Sequence, residues 1–415
     1  MPRAVYAWVR LLPLALLGTA LAVLAVRRAR VRPTPALTRA LPALQASASP
    51  YAAPLKPARP ELTHASAPRM ARGDAQRSHR TSSSLPKNPK LAWTLELGAP
   101  IAAQVTASLD SQSLYAATLG GKLVAISREG QIRWSVDLGD RIYSTPLVGS
   151  DGELYVGTDA DRFISVTKQG KVRWQLDTDA DADTSAVEID QNKIIFAAGR
   201  KIFAVDLNGV VKWTFSAKRK VFTSPALTRS GLIVFGSQDD RVYALKQDGT
   251  LAWSVGLGTD VEGGPAIGLD DTIFVGTDAG EVVALTSEGE VRWRQRVGGF
   301  VRGGLTVAPS GDVGVGVYGP RPRVALLDEA TGAVLREAIV RTNSAAEFGV
   351  HGGPLATKDG VFAFGAQDDR VRILDASWNV VWSFDTSADV DAPLTLLDDG
   401  TFIVPSEDGR IYAFR

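Results

Sequence analysis

Seven tryptophans recur along the 415-residue chain at nearly constant intervals, and this period constrains the fold more than any other feature. Six of them follow one another about every forty residues, a spacing typical of propellers and solenoids. The pattern fails once, at Arg336, and then returns. Because so regular a spacing marks packing positions, we expect each indole to wedge between neighbouring repeats. The tryptophans are Trp93, Trp134, Trp174, Trp213, Trp253, Trp293 and Trp382.

Each period contains four strand-like runs that are separated only by turns. Within residues 144–176, the runs STPLVG, ELYVGT, RFISV and KVRWQL are separated by short stretches rich in Asp, Gly and Lys. Short alternating or apolar runs bounded by such turns indicate antiparallel hairpins. The intervals between runs are too short for a helix. The sequence therefore predicts an all-β fold made of four-stranded antiparallel blades.

Eight blades can be counted from their inner strands. The last repeat has three strands, whereas residues 91–97 carry the outer-strand pattern without a blade of their own. Pairing these two ends would close the ring and remove a free sheet edge. We therefore predict an eight-bladed β-propeller over residues 91–415, with its N-terminal strand completing the last blade. The inner strands are expected to begin near Ile101, Ser144, Thr184, Thr223, Gly263, Gly303, Gly352 and Asp391.

The N-terminus carries a targeting pattern. Residues 11–26 form an apolar run preceded by two arginines, which is typical of an export signal. Several arginines follow at once, which hinders export and leaves an uncleaved anchor over residues 5–26 as the alternative. Residues 1–26 are therefore predicted to be a signal peptide or a signal anchor. We expect an exported protein of the periplasm or cell envelope, either released or tethered to the membrane.

Residues 27–90 are predicted to be a disordered linker, because they are rich in Pro, Ala, Ser and Arg and show no apolar period. The net charge of +1 conceals a basic linker ahead of an acidic repeat region. Such a linker can contact anionic lipid or cell-wall polymer, and we expect no nucleic-acid partner. The absence of cysteine excludes disulfides, thiolate metal sites and a lipidated cysteine.

The blades resemble a known repeat. A hairpin with a Tyr/Phe-Val-Gly-Thr pattern or its variants, followed by a turn glycine and an outer-strand tryptophan, recurs through residues 90–415. This motif is similar to the pyrroloquinoline-quinone-like (PQQ-like) propeller repeat. That family includes quinoprotein dehydrogenases and non-catalytic propellers, and the chain looks most like the outer-membrane-assembly lipoprotein type in size, short blades and export. It departs from that type in lacking the lipidated cysteine.

The enzyme branch of this family fits the sequence poorly. The resemblance implies, for a dehydrogenase, an anionic quinone held with calcium under long covering loops, but every loop here is short and adjacent cysteines are absent. We therefore predict a non-catalytic, monomeric scaffold that binds an envelope protein partner and carries neither quinone nor calcium. Two alternatives stay open: a quinone- or small-ligand-binding sensor or quinoprotein dehydrogenase, and a polysaccharide- or cell-wall-binding module.

Candidate binding residues cluster on one face. Strand alternation places the inter-blade loops and the second-to-third-strand turns together on what we call the loop face, and the other turns on the opposite hairpin face. The sixth blade and the inter-blade loop that follows it are the most irregular, which indicates either a site or repeat decay; the candidate residues are Arg321, Arg323, Asn343, Glu347 and His351. A basic inter-blade loop is either an anion site or simply solvated; it contains Lys218, Arg219 and Lys220.

An acidic loop offers a calcium site as a further alternative. Its aspartates have the spacing of calcium-loop ligands, but Ala182 replaces the glycine that such a loop needs, and no helices flank it. A solvated acidic loop explains the same pattern. The aspartates are Asp177, Asp179, Asp181 and Asp183.

Overall fold

A computed structural model gives the positions of residue 56 and of residues 68–319, 321–340 and 348–415. The predicted targeting segment, residues 1–26, lies outside these described residues, and so does most of the linker up to residue 67. Within the described ranges, the structure has no helix that is long and apolar enough to cross a membrane.

Strands account for the regular structure of the described residues. In chain order they are β1 (Leu91–Glu96), β2 (Thr106–Ala107), β3 (Ser113–Ala117), β4 (Lys122–Ser127), β5 (Ile132–Asp137), β6 (Leu147–Val148), β7 (Leu154–Thr158), β8 (Arg162–Val166), β9 (Val172–Asp177), β10 (Val187–Ile189), β11 (Lys193–Ala198), β12 (Lys201–Asp206), β13 (Val211–Ser216), β14 (Ala226–Leu227), β15 (Ile233–Ser237), β16 (Arg241–Leu245), β17 (Leu251–Gly256), β18 (Gly263–Ile267), β19 (Ile273–Gly276), β20 (Glu281–Leu285), β21 (Val291–Arg296), β22 (Thr306–Val307), β23 (Val313–Val317), β24 (Arg323–Leu327), β25 (Val334–Ile339), β26 (Leu355–Ala356), β27 (Phe362–Ala366), β28 (Arg370–Leu374), β29 (Val380–Asp385), β30 (Thr395–Leu396), β31 (Phe402–Pro405) and β32 (Arg410–Phe414).

These strands form eight four-stranded antiparallel sheets in the described part of the chain, which confirms the predicted eight-bladed propeller. Blades 1 to 7 each use four consecutive strands, beginning with β2–β5. Blade 8 combines β30–β32 with β1, in the order β1-β32-β31-β30. The two ends of the chain therefore close the ring as predicted, and the backbones of Lys90 and Arg415 exchange two hydrogen bonds of 2.8 and 2.9 Å.

Burial within a blade follows from its position in the ring. The second and third strands are buried along almost their whole length, as in β7 and β8, because neighbouring blades cover both faces. The outer strand alternates exposed and half-buried residues, as in β9. The inner strands are shorter than predicted, and most span two residues. Ahead of them a side-chain hydroxyl can take the place of backbone pairing: Ser144 Oγ donates to Gly157 O and accepts from Gly157 N, both at 2.9 Å.

Tryptophans fill the seams between blades. Six of them donate an indole N–H to a backbone carbonyl of the next blade, at 2.8–3.0 Å. Trp134, for example, binds Lys168 O, and its ring packs on Gly170, where a Cβ would lie 2.7 Å from the indole. The seventh, Trp382, packs edge-on against Phe414 of blade 8, with ring centroids 5.0 Å apart.

The seam between blades 6 and 7 is filled by a tryptophan of blade 7 instead of one from blade 6. Arg336 stands where blade 6 would present its indole. In blade 7, Trp378 takes the turn position that glycine holds elsewhere, with φ at 64°, and it is 1% exposed. Its ring packs against Phe362 within a cluster that also contains Leu326 of blade 6. The lost tryptophan is therefore replaced by one from the neighbouring blade.

The chain fills its own channel with residues 68–82, here called the plug. Carbonyls of the plug accept hydrogen bonds from inner-strand residues of six blades, in order around the ring. Val148 N, for example, donates to Arg69 O at 2.7 Å, and Leu227 N donates to Ala75 O at 2.8 Å. The plug thereby satisfies N–H groups that would otherwise face the channel unpaired.

Side chains of the plug reach the two remaining blades. Arg77, which is 1% exposed, donates to the carbonyls of Ser185 and Ala186 in blade 3. His79 Nε2 lies 3.0 Å from Leu394 O in blade 8, and burial together with Arg72 lowers the histidine pKa to about 3. The imidazole is therefore neutral and donates to this carbonyl.

The plug differs from the expectation of a disordered linker over residues 27–90. Residues 68–82 pack inside the ring, and residues 83–90 lead from it to β1. Met70 and Ser78 are buried. The plug is held largely by its backbone and by arginines, and such contacts impose no apolar period on the sequence.

Candidate functional site

Eight equivalent positions, one in each blade, surround the channel mouth on the loop face. At each of them, a buried apolar residue ahead of the inner strand anchors the loop, and the next residue lines the mouth. Ala71, Arg72 and Arg77 of the plug form the floor. The resulting cavity has a volume of about 290 Å³ and a rim formed by Ala102, Tyr143, Asp183, Phe222, Glu262, Arg302, His351 and Asp391.

A repeated hydrogen bond holds this rim in place. In each blade, an N–H group of the second-to-third-strand turn donates to the carbonyl two residues before the rim position. Gln238 N donates to Lys220 O in this way, and Glu407 N donates to Asp389 O, both at 2.9 Å. The backbone of the mouth is therefore uniform, and the blades differ in the side chains they present.

Parts of the mouth are crowded with carboxyl groups. Burial and a hydrogen bond with Asp159 raise the pKa of Asp183 to about 8. Burial and the nearby Asp391 raise the pKa values of Asp389 and Glu407 to about 7. These groups hold protons near neutral pH, and a cation bound among them would stabilise their ionised forms.

Blade 6 and the rim residue of blade 7 form a cationic and aromatic wall. Arg302 donates to both carboxylate oxygens of Asp278, at 3.0 and 2.9 Å, and its guanidinium lies 4.4 Å from the centre of the Phe300 ring. The rings of Tyr318 and His351 meet edge to face with centroids 6.2 Å apart. Arg302 belongs to blade 6 and Asp278 to blade 5, so this ion pair links the two blades.

The structure separates the residues of the predicted sixth-blade site. His351 lines the mouth, whereas Arg323 pairs with Glu337 of the outer strand at 3.3 Å. Arg321 lies in the same turn as Arg323 and accepts a hydrogen bond from it through its carbonyl. The described members of the set therefore do not converge at the channel rim. Asn343 and Glu347 lie outside the described residues.

The predicted basic loop borders a groove of about 470 Å³ between blades 3 and 4. Arg219 and Lys220 line it, with side chains 61% and 55% exposed, and so do Arg200 and Lys201 from the adjacent turn. Lys218 lies outside this lining, and its backbone N–H donates to Asp239. The sequence did not single out the two cations of the turn, because they join the loop only through the folding of blade 3.

The aspartates of the calcium alternative spread apart. Asp177 and Asp179 are more than four-fifths exposed and pair with basic residues of the neighbouring strands at 3.8 and 3.4 Å. Asp181 lies 3.9 Å from Lys220, and Asp183 turns into the mouth. The four aspartates therefore do not form a shared coordination site, although their spacing in the sequence resembles that of calcium ligands.

A different carboxylate trio converges among the described residues. Oxygens of Asp260, Glu262 and Asp278 lie within 4.8 Å of one another. Arg302 forms salt bridges with Glu262 and Asp278, and Arg219 lies 3.6 Å from Asp260. The two guanidinium groups neutralise these carboxylates, and the trio therefore forms ion pairs that link neighbouring blades.

The mouth does not fit a tricarboxylate quinone. Its two floor arginines, Arg72 and Arg77, already donate to backbone carbonyls of the ring. An anionic cofactor would instead meet carboxyl groups, which repel it when they are ionised and offer it no positive charge when they are protonated. Those lining the cavity are Asp183, Glu262, Asp391 and Glu407.

Comparison with known proteins gives one family match and many structural ones. The family model described as outer membrane protein assembly factor BamB matches residues 86–234 and 238–313. BamB from Moraxella catarrhalis has a TM-score of 0.64 at 20% identity, over 79% of this chain and 97% of that one. A europium-containing methanol dehydrogenase has a TM-score of 0.69 at 12% identity, over 83% and 90%. Quinohemoprotein alcohol dehydrogenase from Comamonas testosteroni scores 0.69 at 14% identity, over 84% and 80%.

These matches carry different weights. No curated protein matches the sequence significantly. At their low identities, the solved structures show a shared fold and leave the activity open, because one fold serves many functions. The family model is a sequence match, and it runs from the ring-closing strand into blade 6. Because it covers more than half of the chain, this protein belongs to the PQQ-like propeller family described as outer membrane protein assembly factor BamB.

Proposed function

We propose that this protein is a non-catalytic propeller of the cell envelope that acts as a protein-interaction scaffold. The observation that carries the proposal is the plug, because residues 68–82 occupy the channel in which a propeller enzyme would need an enclosed cofactor pocket. A ligand would instead meet an open mouth of mixed charge. Membership of the family described as BamB supports the same function.

The loop face offers a protein partner two complementary features. Its basic groove suits an acidic segment, and its acidic mouth suits a basic side chain. Tyr143 and Phe222 are 40% and 43% exposed at the rim, and aromatic residues are common anchors of interfaces. We propose an envelope protein partner that carries both signs of charge.

Two described basic residues ahead of β1 contact the hairpin face rather than the loop face. Arg69 at the start of the plug binds Glu188 at 2.7 Å, close to a turn of the hairpin face. Lys56 pairs with Asp312 and Asp328 in hairpin-face turns of blade 6. In this proposal these contacts of Lys56 and Arg69 leave the loop face free for a partner.

Site-specific photo-crosslinking in cells tests the proposal. A photoreactive residue at Phe222 or Arg219 should capture an envelope protein of the outer-membrane-assembly type, identified by mass spectrometry after envelope fractionation. The same residue at Lys358, which is exposed on the hairpin face, should not capture it. Capture from Lys358 alone would place the partner on the other face. Adducts with cytoplasmic proteins alone would contradict the export of the protein.

A further inference from the structure

A second cavity, of about 320 Å³, lies on the hairpin-face side of the plug. Arg80 from the plug and Arg229 from a turn of blade 4 line it, together with Thr81 and Ser82. Asp74 is the one carboxylate among the described residues of its lining. The cavity is therefore electropositive, although the repeat region as a whole is acidic.

Arg80 is buried without the partners that its charge requires. Its side chain is 10% exposed, and no described residue accepts a hydrogen bond from Nη1. Asp74 lies 4.0 Å from Nη2 and already accepts hydrogen bonds from Ser78. Arg77, in contrast, is buried deeper and donates to four carbonyls. A buried guanidinium with an unused N–H is unfavourable, and an anion would relieve that cost.

Neighbouring charges reinforce this imbalance. Burial lowers the pKa of Arg80, and Arg229 acts in the same direction while Asp74 opposes them. His79, which also lines the cavity, is neutral and adds no charge. Arg229 is exposed and lines the cavity, and its guanidinium donates one hydrogen bond, from Nη1 to Gly268 O.

We infer that this cavity is a binding site for a phosphate group, either free or carried by an anionic lipid headgroup. Paired guanidinium groups match the geometry of phosphate oxygens, and hydroxyl groups such as those of Thr81 and Ser82 donate to the same oxygens. The site is independent of the loop face, so it stands whether or not a protein partner binds there.

Thermal unfolding of the full-length protein tests the site with two probes. Inorganic phosphate, with ionic strength held constant by chloride, is expected to raise the Tm saturably, on the order of 2 °C. Arg80→Met and Arg229→Met should each lose most of this rise. Lys358→Met removes a charge from the same face and should keep it. Monomeric dihexanoyl-phosphatidylglycerol is the second probe: a rise with it alone assigns a lipid headgroup, and a rise with inorganic phosphate alone assigns a free phosphate.

Two results would overturn the inference. One is the absence of a saturable rise with either probe. The other is a rise that Arg229→Met retains in full. Arg229→Met keeps the test decisive even if Arg80→Met fails to fold, because Arg229 is exposed on the surface.

Discussion

Arg72 shows how one side chain decides whether the plug fits. Its backbone N–H donates to Gln104 Oε1 at 2.7 Å, and its guanidinium donates to Gly352 O at 2.8 Å. The side chain passes Gly304, where a Cβ would lie 1.9 Å from the arginine Cζ. Gly264 holds the equivalent position in blade 5, and a Cβ there would meet nothing within 4 Å. The repeat therefore supplies a matched pair of glycines.

We expect Gly304→Ala to lower the free energy of unfolding by roughly 1–3 kcal/mol, because the added methyl group displaces Arg72 from its carbonyl acceptors. Gly264→Ala should change it by less than about 0.5 kcal/mol. Urea unfolding followed by tryptophan fluorescence measures both variants. Equal losses would show that the backbone at this position of the repeat, rather than Arg72, requires glycine.

At the scale of elements, the turns and loops of the loop face respond to pH through their crowded carboxyl groups. Burial and Asp391 raise the pKa of Glu407 to about 7 in the folded protein, whereas an unfolded glutamate titrates near about 4.3. Between these two values the folded state binds more protons than the unfolded state. The contribution of Glu407 to stability therefore falls as pH rises from about 4 to about 7.

We expect Glu407→Gln to stabilise the protein by about 1 kcal/mol more at pH 8 than at pH 4, because glutamine cannot acquire the unfavourable charge; partial exposure keeps the figure below the full shift. Urea midpoints measured across this pH range check the difference. Glu290→Gln, at an exposed position on the hairpin face, controls for the loss of one charge. A constant effect of Glu407→Gln at all pH values would argue against the assigned cause.

Sequence periodicity predicts some elements of this protein and misses others for a physical reason. Blades and ring closure follow from Trp134 and its equivalents, since each indole must fill the same seam in every repeat. The plug is missed because most of its contacts are made by backbone carbonyls. Every residue type has such a carbonyl, so these contacts leave no pattern in the sequence. The indirect signal is that eight short inner strands leave N–H groups facing the channel, and these must be satisfied somewhere.

The sequence likewise predicts some residues of the candidate site and misses others. Charged loops are visible in the sequence, so Arg219 and Lys220 of the basic groove are predicted. The rim residues Tyr143 and Phe222 escape notice because each looks like an ordinary loop residue within its own repeat. Aligning the eight repeats on the buried residue ahead of each inner strand would place these two at one register. Trp378 is missed because it occupies a turn position where the repeat has glycine.

In the whole molecule the repeats are coupled more extensively than they would be in a linear repeat array. In solenoids each repeat contacts its neighbours, and stability is close to a sum over repeats. Here β1, the first strand of the described propeller, pairs with β32, the last one, and the plug contacts all eight blades at once. Loss of the plug therefore affects blades that are distant from one another in sequence.

Arg77 is the residue through which we test this coupling. We expect Arg77→Met, which leaves buried carbonyls without donors, to lower the free energy of hydrogen exchange by roughly 2–4 kcal/mol at inner-strand amides in several blades together. Native-state exchange of peptides containing Val148, Ile267 and Val307 measures this effect, since these amides donate to the plug but not to Arg77 itself. Arg296→Met, at an exposed position of an outer strand, is the control. Faster exchange confined to blades 3 and 4, whose carbonyls Arg77 binds, would show instead that the blades open independently and that the plug is a local filling of the channel.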